Sequence, residues 1–222
     1  MSTVTSGGDA ASRRSVEQRR VELIDAAVAV LAEDGLGRAT TRAITDRAGL
    51  ALGAFHYAFD SKDQLLEAVI ERVAATTTGR LQATLDEVAG GDEPTTASGA
   101  TRVAGYLRRF LTRYWDQLAD TPGLQLAQYE LTVHALREPG MHGVAARQYD
   151  HYVDTLAAGI ARVHGAPRDD ATDDLARFVI ATLDGLLLQR LADGDADRSR
   201  RQLRHYVEAV EAVVTAHLDP EH

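Results

Sequence analysis

The feature that most constrains this chain is a helical rhythm running almost from end to end. Apolar residues recur three and four apart, and the pattern stops only where Gly, Pro or a capping residue stands. Ser15 and Gln18 have capping-box spacing, and Leu23, Ile24, Ala27, Val28 and Leu31 then share one face until Gly35. Thr40 or Thr41 is placed to cap a short helix ending near Ala48, Gly49 breaks it, and a second short helix runs from about Leu52 to Tyr57. Ser61 and Gln64 repeat the capping-box spacing ahead of Leu65, Leu66, Val69, Ile70 and Val73, a stripe that continues to about Val88. After a loop over residues 90–99, further helices are predicted over residues 102–119, 122–138, 141–164, 171–192 and 196–218. No alternating strand pattern interrupts them. The expected fold class is all-α with about nine helices: a three-helix domain over residues 15–62 and a larger helical domain over residues 63–222. Residues 1–14, rich in Ser, Thr and Gly, read as a disordered tail ending in the basic pair Arg13 and Arg14.

Composition narrows the setting. At 222 residues the chain is long enough to bury a sizeable core without staples. It has no cysteine, which excludes disulfides and thiolate metal sites and points to a reducing cytoplasm. The first twenty residues lack the apolar stretch of an export signal, and no run approaches the roughly 18 apolar residues that span a bilayer. A cytoplasmic protein with no membrane partner is the expectation. The net charge of −9 is unevenly placed: residues 1–62 hold as many basic as acidic residues, and all the excess acid lies beyond them. Of the basic residues only Lys62 is a lysine, and arginine is the better bidentate partner for phosphate and guanine.

Residues 41–59 meet the demands of a helix-turn-helix, in which a short helix and a tight turn precede a second helix whose exposed face enters the major groove. Ile44 and Ala48 give the first helix an inward face, Gly49 lets the chain turn, and Leu50 fills the gap. Phe55 and Phe59, four apart, anchor the second helix from behind. That leaves Ala51, Leu52, Ala54, His56 and Tyr57 facing DNA, with Gly53 permitting close backbone approach. An ordinary helical hairpin of a bundle would meet the same spacing.

The run from Ile44 to Lys62 (ITDRAGLALGAFHYAFDSK), followed by the pair Leu65-Leu66, resembles the signature of the TetR family of transcriptional repressors. The likeness covers about 60 residues with the first helix included. This chain departs from the family pattern at Thr45, Ala51, Ala54 and the triplet His56-Tyr57-Ala58, so several hydroxyl donors are missing. The resemblance implies phosphate contacts from Thr40, Thr41, Tyr57 and Lys62 and a base contact from Arg42; His56 either donates to a phosphate or fills the helix flank. Arg13 and Arg14 are candidates for an arm in the minor groove.

Two helices in one groove read few base pairs, so a homodimer on palindromic operator DNA is expected. Its interface is expected on the last two helices, through Leu175, Val179, Leu183, Leu186 and Leu187 on one and Leu203, Tyr206, Val207, Val210 and Val214 on the other, as the family's final helix pair implies. The alternative is that these stripes pack within one chain. Most large aromatics fall between the two regions. Tyr106, Phe110, Tyr114, Tyr129, Tyr149 and Tyr152, with Gln125 and His134, are candidates for a small-molecule effector site, against the alternative that the rings are core. The resemblance implies that an effector would release the DNA. No catalytic motif and no cofactor signature is present in the sequence. Two other readings stay open: a metal-dependent helical enzyme using Glu130 and His134 with His142 or His151, and an adaptor whose motif serves protein contacts instead of DNA.

Overall fold

The computed structural model describes residues 7–90 and 97–218, with side chains from residue 16 onward. Among the described residues there are nine helices and no strand: α1 Gly7–Asp34, α2 Thr41–Ala48, α3 Gly53–Ala58, α4 Lys62–Val88, α5 Gly99–Ala119, α6 Pro122–Arg137, α7 His142–His164, α8 Asp170–Asp193 and α9 Ala196–Leu218. The start of α1 differs from the expectation: residues 7–14 are helical, where a tail was predicted, while residues 1–6 lie outside the described residues. Once the turn after Ser15 is formed, each further residue adds a hydrogen bond without a new nucleus, and Ala10, Ala11, Arg13 and Arg14 are good helix formers.

The helix starts are largely set by local chemistry. Thr40 accepts the Ala43 amide at 3.1 Å and opens α2, and Ser98 does the same for the Thr101 amide at α5. At α8, Asp169 and Thr172 form a reciprocal capping box, and these hydrogen bonds hold the Asp169 carboxyl below the usual range. Ser61 accepts the Gln64 amide at 3.1 Å ahead of α4, and the Gln64 side chain returns to the Asp60 amide at 2.8 Å.

The helices pack as two units. One takes the chain up to Ala74 together with Gly123–Ala146; the other takes Ala75–Pro122 and the chain from Arg147 on. In the first, Leu23, Ala27 and Leu31 of α1, Ile44 of α2, Phe55 of α3 and Leu65, Leu66 and Val69 of α4 form one buried cluster, joined by Ala127, Leu131 and Ala135 of α6. Packing thus groups α6 with the N-terminal helices, which chain order does not announce. The join is close: a Cβ on Gly123 would collide with the Ala32 carbonyl oxygen, so only glycine lets α6 begin against the last turns of α1. Two helical turns further on, the Glu130 carboxylate accepts the Leu36 amide at 2.7 Å and so holds the loop between α1 and α2.

In the second unit α9 lies against α5 and α8. Val103, Leu107, Phe110, Leu111 and Trp115 of α5 are buried, as are Val179 and Leu183 of α8 and Val210 and Val214 of α9. The Tyr206 hydroxyl donates to the Val179 carbonyl at 2.6 Å, which satisfies a buried polar group across the α8–α9 contact.

Candidate nucleic-acid interface

The site begins with the way α2 ends. Gly49 takes φ 68°, in the left-handed region where a Cβ is penalised. Its amide reaches the Asp46 carbonyl at 3.2 Å and the Leu50 amide reaches Thr45 at 2.9 Å, the paired bonds of a Schellman turn. The chain therefore leaves α2 sharply, and α3 follows four residues later. Thr45, where the family has alanine, is buried and its hydroxyl donates to the Arg42 carbonyl at 3.0 Å, so the departure leaves no unpaired group.

Phe55 and Phe59 are both buried, their ring centroids 5.9 Å apart. Each buried ring contributes about 1.5–3 kcal/mol, enough to hold a six-residue helix that would not form alone. Arg20 of α1 completes the anchor: its guanidinium lies 4.3 Å from the Phe59 ring centroid and donates to the Ala58 carbonyl at the end of α3. Sequence reading missed Arg20, because its partners lie 38 residues away or more. Glu130 was read only as a metal candidate, and nothing near it in sequence signals the grip on Leu36.

With α3 fixed from behind, its other face is open. Tyr57 is 78% and Leu52 49% exposed; Ala51, Gly53 and His56 are exposed and Ala54 is half-buried. A Cβ on Gly53 would meet nothing within 4 Å. His56 packs edge-on to Phe55 at 5.5 Å between centroids while staying exposed. Arg42 stands 84% exposed on α2 with only a loose ion pair to Asp46 at 3.9 Å. Thr40 is exposed, Thr41 is half-buried, and Lys62 is half-buried at the first turn of α4. Arg47, by contrast, is committed: it makes a bidentate pair with Glu33 at 2.6 Å, which holds the Glu33 carboxyl below its usual range.

The residues expected to bind an effector divide between the units. Gln125, Tyr129 and His134 belong to the first, where Tyr129 and His134 line a cavity of about 480 Å³ with Leu36 and Val133. The other five belong to the second. There Tyr106 and Phe110 are fully buried, and the Tyr106 hydroxyl sits where a Cβ on Gly159 would come within 2.6 Å, so Tyr106 packs as core. Phe110 stacks on Tyr114 at 5.2 Å, and Tyr149 meets Tyr152 edge-on at 5.9 Å.

The stripes expected to bind a second copy are largely used inside the chain. Leu175, Val179, Leu183 and Leu187 of α8, and Leu203, Tyr206, Val210 and Val214 of α9, are buried; Leu186 and Val207 are half-buried. A different face is open. Phe178, Ala181, Gly185, Leu188 and Ala192, spaced three and four apart along α8, are all exposed, with Leu188 at 52%.

The metal set is not assembled. Glu130 is bonded to the Leu36 amide, the His142 ring nitrogen Nε2 faces the Leu136 carbonyl at 2.7 Å, and His151 belongs to the other unit. Among the described residues no group of three metal-ligating side chains converges. No helix among them is long and apolar enough to cross a membrane.

A helix-turn-helix with an outward recognition face, joined to a larger helical unit, defines the class of helical DNA-binding regulators. Residues 23–69 match the model of bacterial regulatory proteins of the tetR family, and residues 98–216 match the tetracyclin repressor-like C-terminal domain. The chain belongs to the TetR family of transcriptional regulators, in which operator binding as a dimer is typical. It is 29% identical over 198 residues to the nicotine-responsive transcriptional repressor HdnoR of Paenarthrobacter nicotinovorans, covering 89% of this chain and 96% of that protein. Among solved structures, the multidrug binding protein EbrR in complex with ethidium is 28% identical with a TM-score of 0.59, covering 84% of this chain and 96% of that one. A transcriptional regulator from Rhodococcus sp. Rha1 shares the fold at a TM-score of 0.62 and 20% identity, covering 89% of this chain and 96% of that one.

Proposed function

We propose that this protein is a cytoplasmic repressor that grips an inverted-repeat operator as a homodimer and lets go when a small organic effector binds its second unit. The observation that carries the DNA role is the division of α3 and its flanking residues: Phe55, Ala58 and Phe59 are buried while Ala51, Leu52, Gly53, His56 and Tyr57 face out. A face of small side chains with one protruding tyrosine can press into a major groove. Arg42 is free to reach guanine, and Thr40, Thr41, Tyr57 and Lys62 flank the groove as phosphate partners. Arg13 and Arg14, whose side chains lie outside the described ones, would extend the contact into the minor groove.

Dimerisation uses the open α8 seam of Phe178, Ala181, Gly185, Leu188 and Ala192, since the wider stripes are consumed by the chain's own core. The effector role rests on kinship with HdnoR, named for its response to nicotine, and with EbrR, solved with ethidium and with imidazole. Release follows from linkage: the effector must prefer the DNA-free conformation, and driving the equilibrium from 99:1 to 1:99 takes about 10⁴-fold preference. Neither an enzyme nor a protein-only adaptor is favoured by any observation at these residues.

The test is selection of DNA fragments from the source genome by the purified protein. Enrichment of one inverted repeat with half-sites about one helical turn apart is expected. Recovery of no common sequence at low salt would refute the regulator.

A further inference from the structure

The second unit carries an open groove between α5 and α9, enclosing about 530 Å³. Arg108 of α5 pairs with Glu211 of α9 at one end, and Trp115 of α5 lines it together with Leu203 and Arg204 of α9 at the other, so the two helices run antiparallel along it. The floor is apolar: Trp115 and Leu203 are buried beneath the cavity they line, and Val207 is half-buried between the ends. None of the residues expected from sequence to hold an effector lines this groove, and none of the open α8 seam does.

Charge is sorted along it. At one end Glu211 is matched by Arg108, and Glu208 faces the His205 ring at 3.5 Å. At the Trp115 end Arg200 and Arg204, one helical turn apart on α9, are both exposed, and Arg204 donates to the Arg200 carbonyl at 3.4 Å. Neither guanidinium is ion-paired among the described residues. Arg190 of α8 adds a third positive charge against the same indole, 6.0 Å from the Trp115 ring centroid. Against these three stands Asp116, the one carboxylate of α5 that lines the groove.

An apolar trough with surplus positive charge at one end selects an amphipathic anion. A carboxylate head gains the forked donors of arginine while its chain removes Trp115, Leu203 and Val207 from water. A neutral chain gains only the apolar contact, and an ammonium head meets Arg200 and Arg204 as like charges. We propose that this groove binds a single-chain amphipathic carboxylate, its head on Arg200 and Arg204 and its chain along Trp115 and Val207. The groove takes no part in the DNA or effector roles, so its occupancy is read apart from operator binding.

Trp115 is the only tryptophan of the chain, so its fluorescence reports from the wall of the groove. The full chain is titrated with octanoate, 1-octanol and octylammonium, affinities being read from Trp115 emission and stoichiometry from calorimetry. One octanoate per chain is expected, held at least tenfold more tightly than octylammonium. Replacing both arginines, Arg200→Gln with Arg204→Gln, should weaken octanoate at least tenfold and leave octanol within twofold. Val207→Gln should weaken octanoate and octanol alike, at least threefold. Equal affinity of the wild type for octanoate and octylammonium overturns the proposal, and so does the absence of saturable octanoate binding. Octanoate binding that is unchanged in the folded double variant places the ligand in another cavity and overturns it too. Should the double variant not fold, the wild-type comparison and Val207→Gln still decide.

Discussion

Under the proposed DNA role, Arg42 and Lys62 are assigned different work. Arg42 is almost wholly exposed, carries a forked guanidinium and spends little of it on Asp46. Arg42→Ala should cost about 1–3 kcal/mol on the selected operator and relax its base preference, as read by anisotropy titration against the operator and point variants of it. Lys62 stands in the first turn of α4, and its compact charge is the one proposed to meet phosphate. Lys62→Ala should weaken all duplexes similarly and reduce the slope of log affinity against log salt by about 1. The exposed face itself was legible because exposure alternates with burial at short range: Phe55 and Phe59, four apart, declare which side is hidden, and Tyr57 must then face away. Arg20 was not legible, since its value comes from a ring and a carbonyl that only the folded chain brings to it.

At the scale of helices, ends were easier to read than partners. Capping is a contact over three or four residues, so Thr40 and Ser61 could be found or bracketed from sequence alone. Thr40→Ala should destabilise the first unit by about 1 kcal/mol in a denaturant melt. Periodicity shows that a helix has an apolar face but not what covers it. Leu183 and Val210 therefore read as interface, with core as the alternative, and the fold spends them as core. The exposed α8 seam is what remains for a second copy, and Leu188→Arg should shift the protein to monomer in analytical ultracentrifugation and abolish operator binding at the same concentration. The α6 grip is a further test. Glu130→Ala removes a charge-assisted bond to the Leu36 amide, which should cost about 1.5–3 kcal/mol and speed hydrogen exchange at the loop between α1 and α2.

For the molecule as a whole, an all-helical fold was legible because helix, cap and turn are local properties, and the regulator was legible through the resemblance of residues 44–62 to the family signature, whereas the grouping of α6 with the N-terminal helices depends on the close approach that Gly123 allows. Burial raises the pKa of Tyr114, Tyr149, Tyr152 and Tyr206, all in the second unit, so the folded state holds these phenolic protons more tightly than the unfolded chain does. Stability from this source is complete below about pH 10 and is lost as pH rises above it, so the share of the tyrosinate absorbance that belongs to these four of the seven tyrosines should appear together with unfolding in an alkaline titration. The central claim is that the face of α3 behind Gly49 docks on DNA. Hydrogen–deuterium exchange with and without the selected operator tests it most directly: the amides of residues 40–62 should slow on binding. If the duplex binds tightly while those amides are unchanged and protection falls elsewhere, the protein reads DNA through some other surface and the account is wrong.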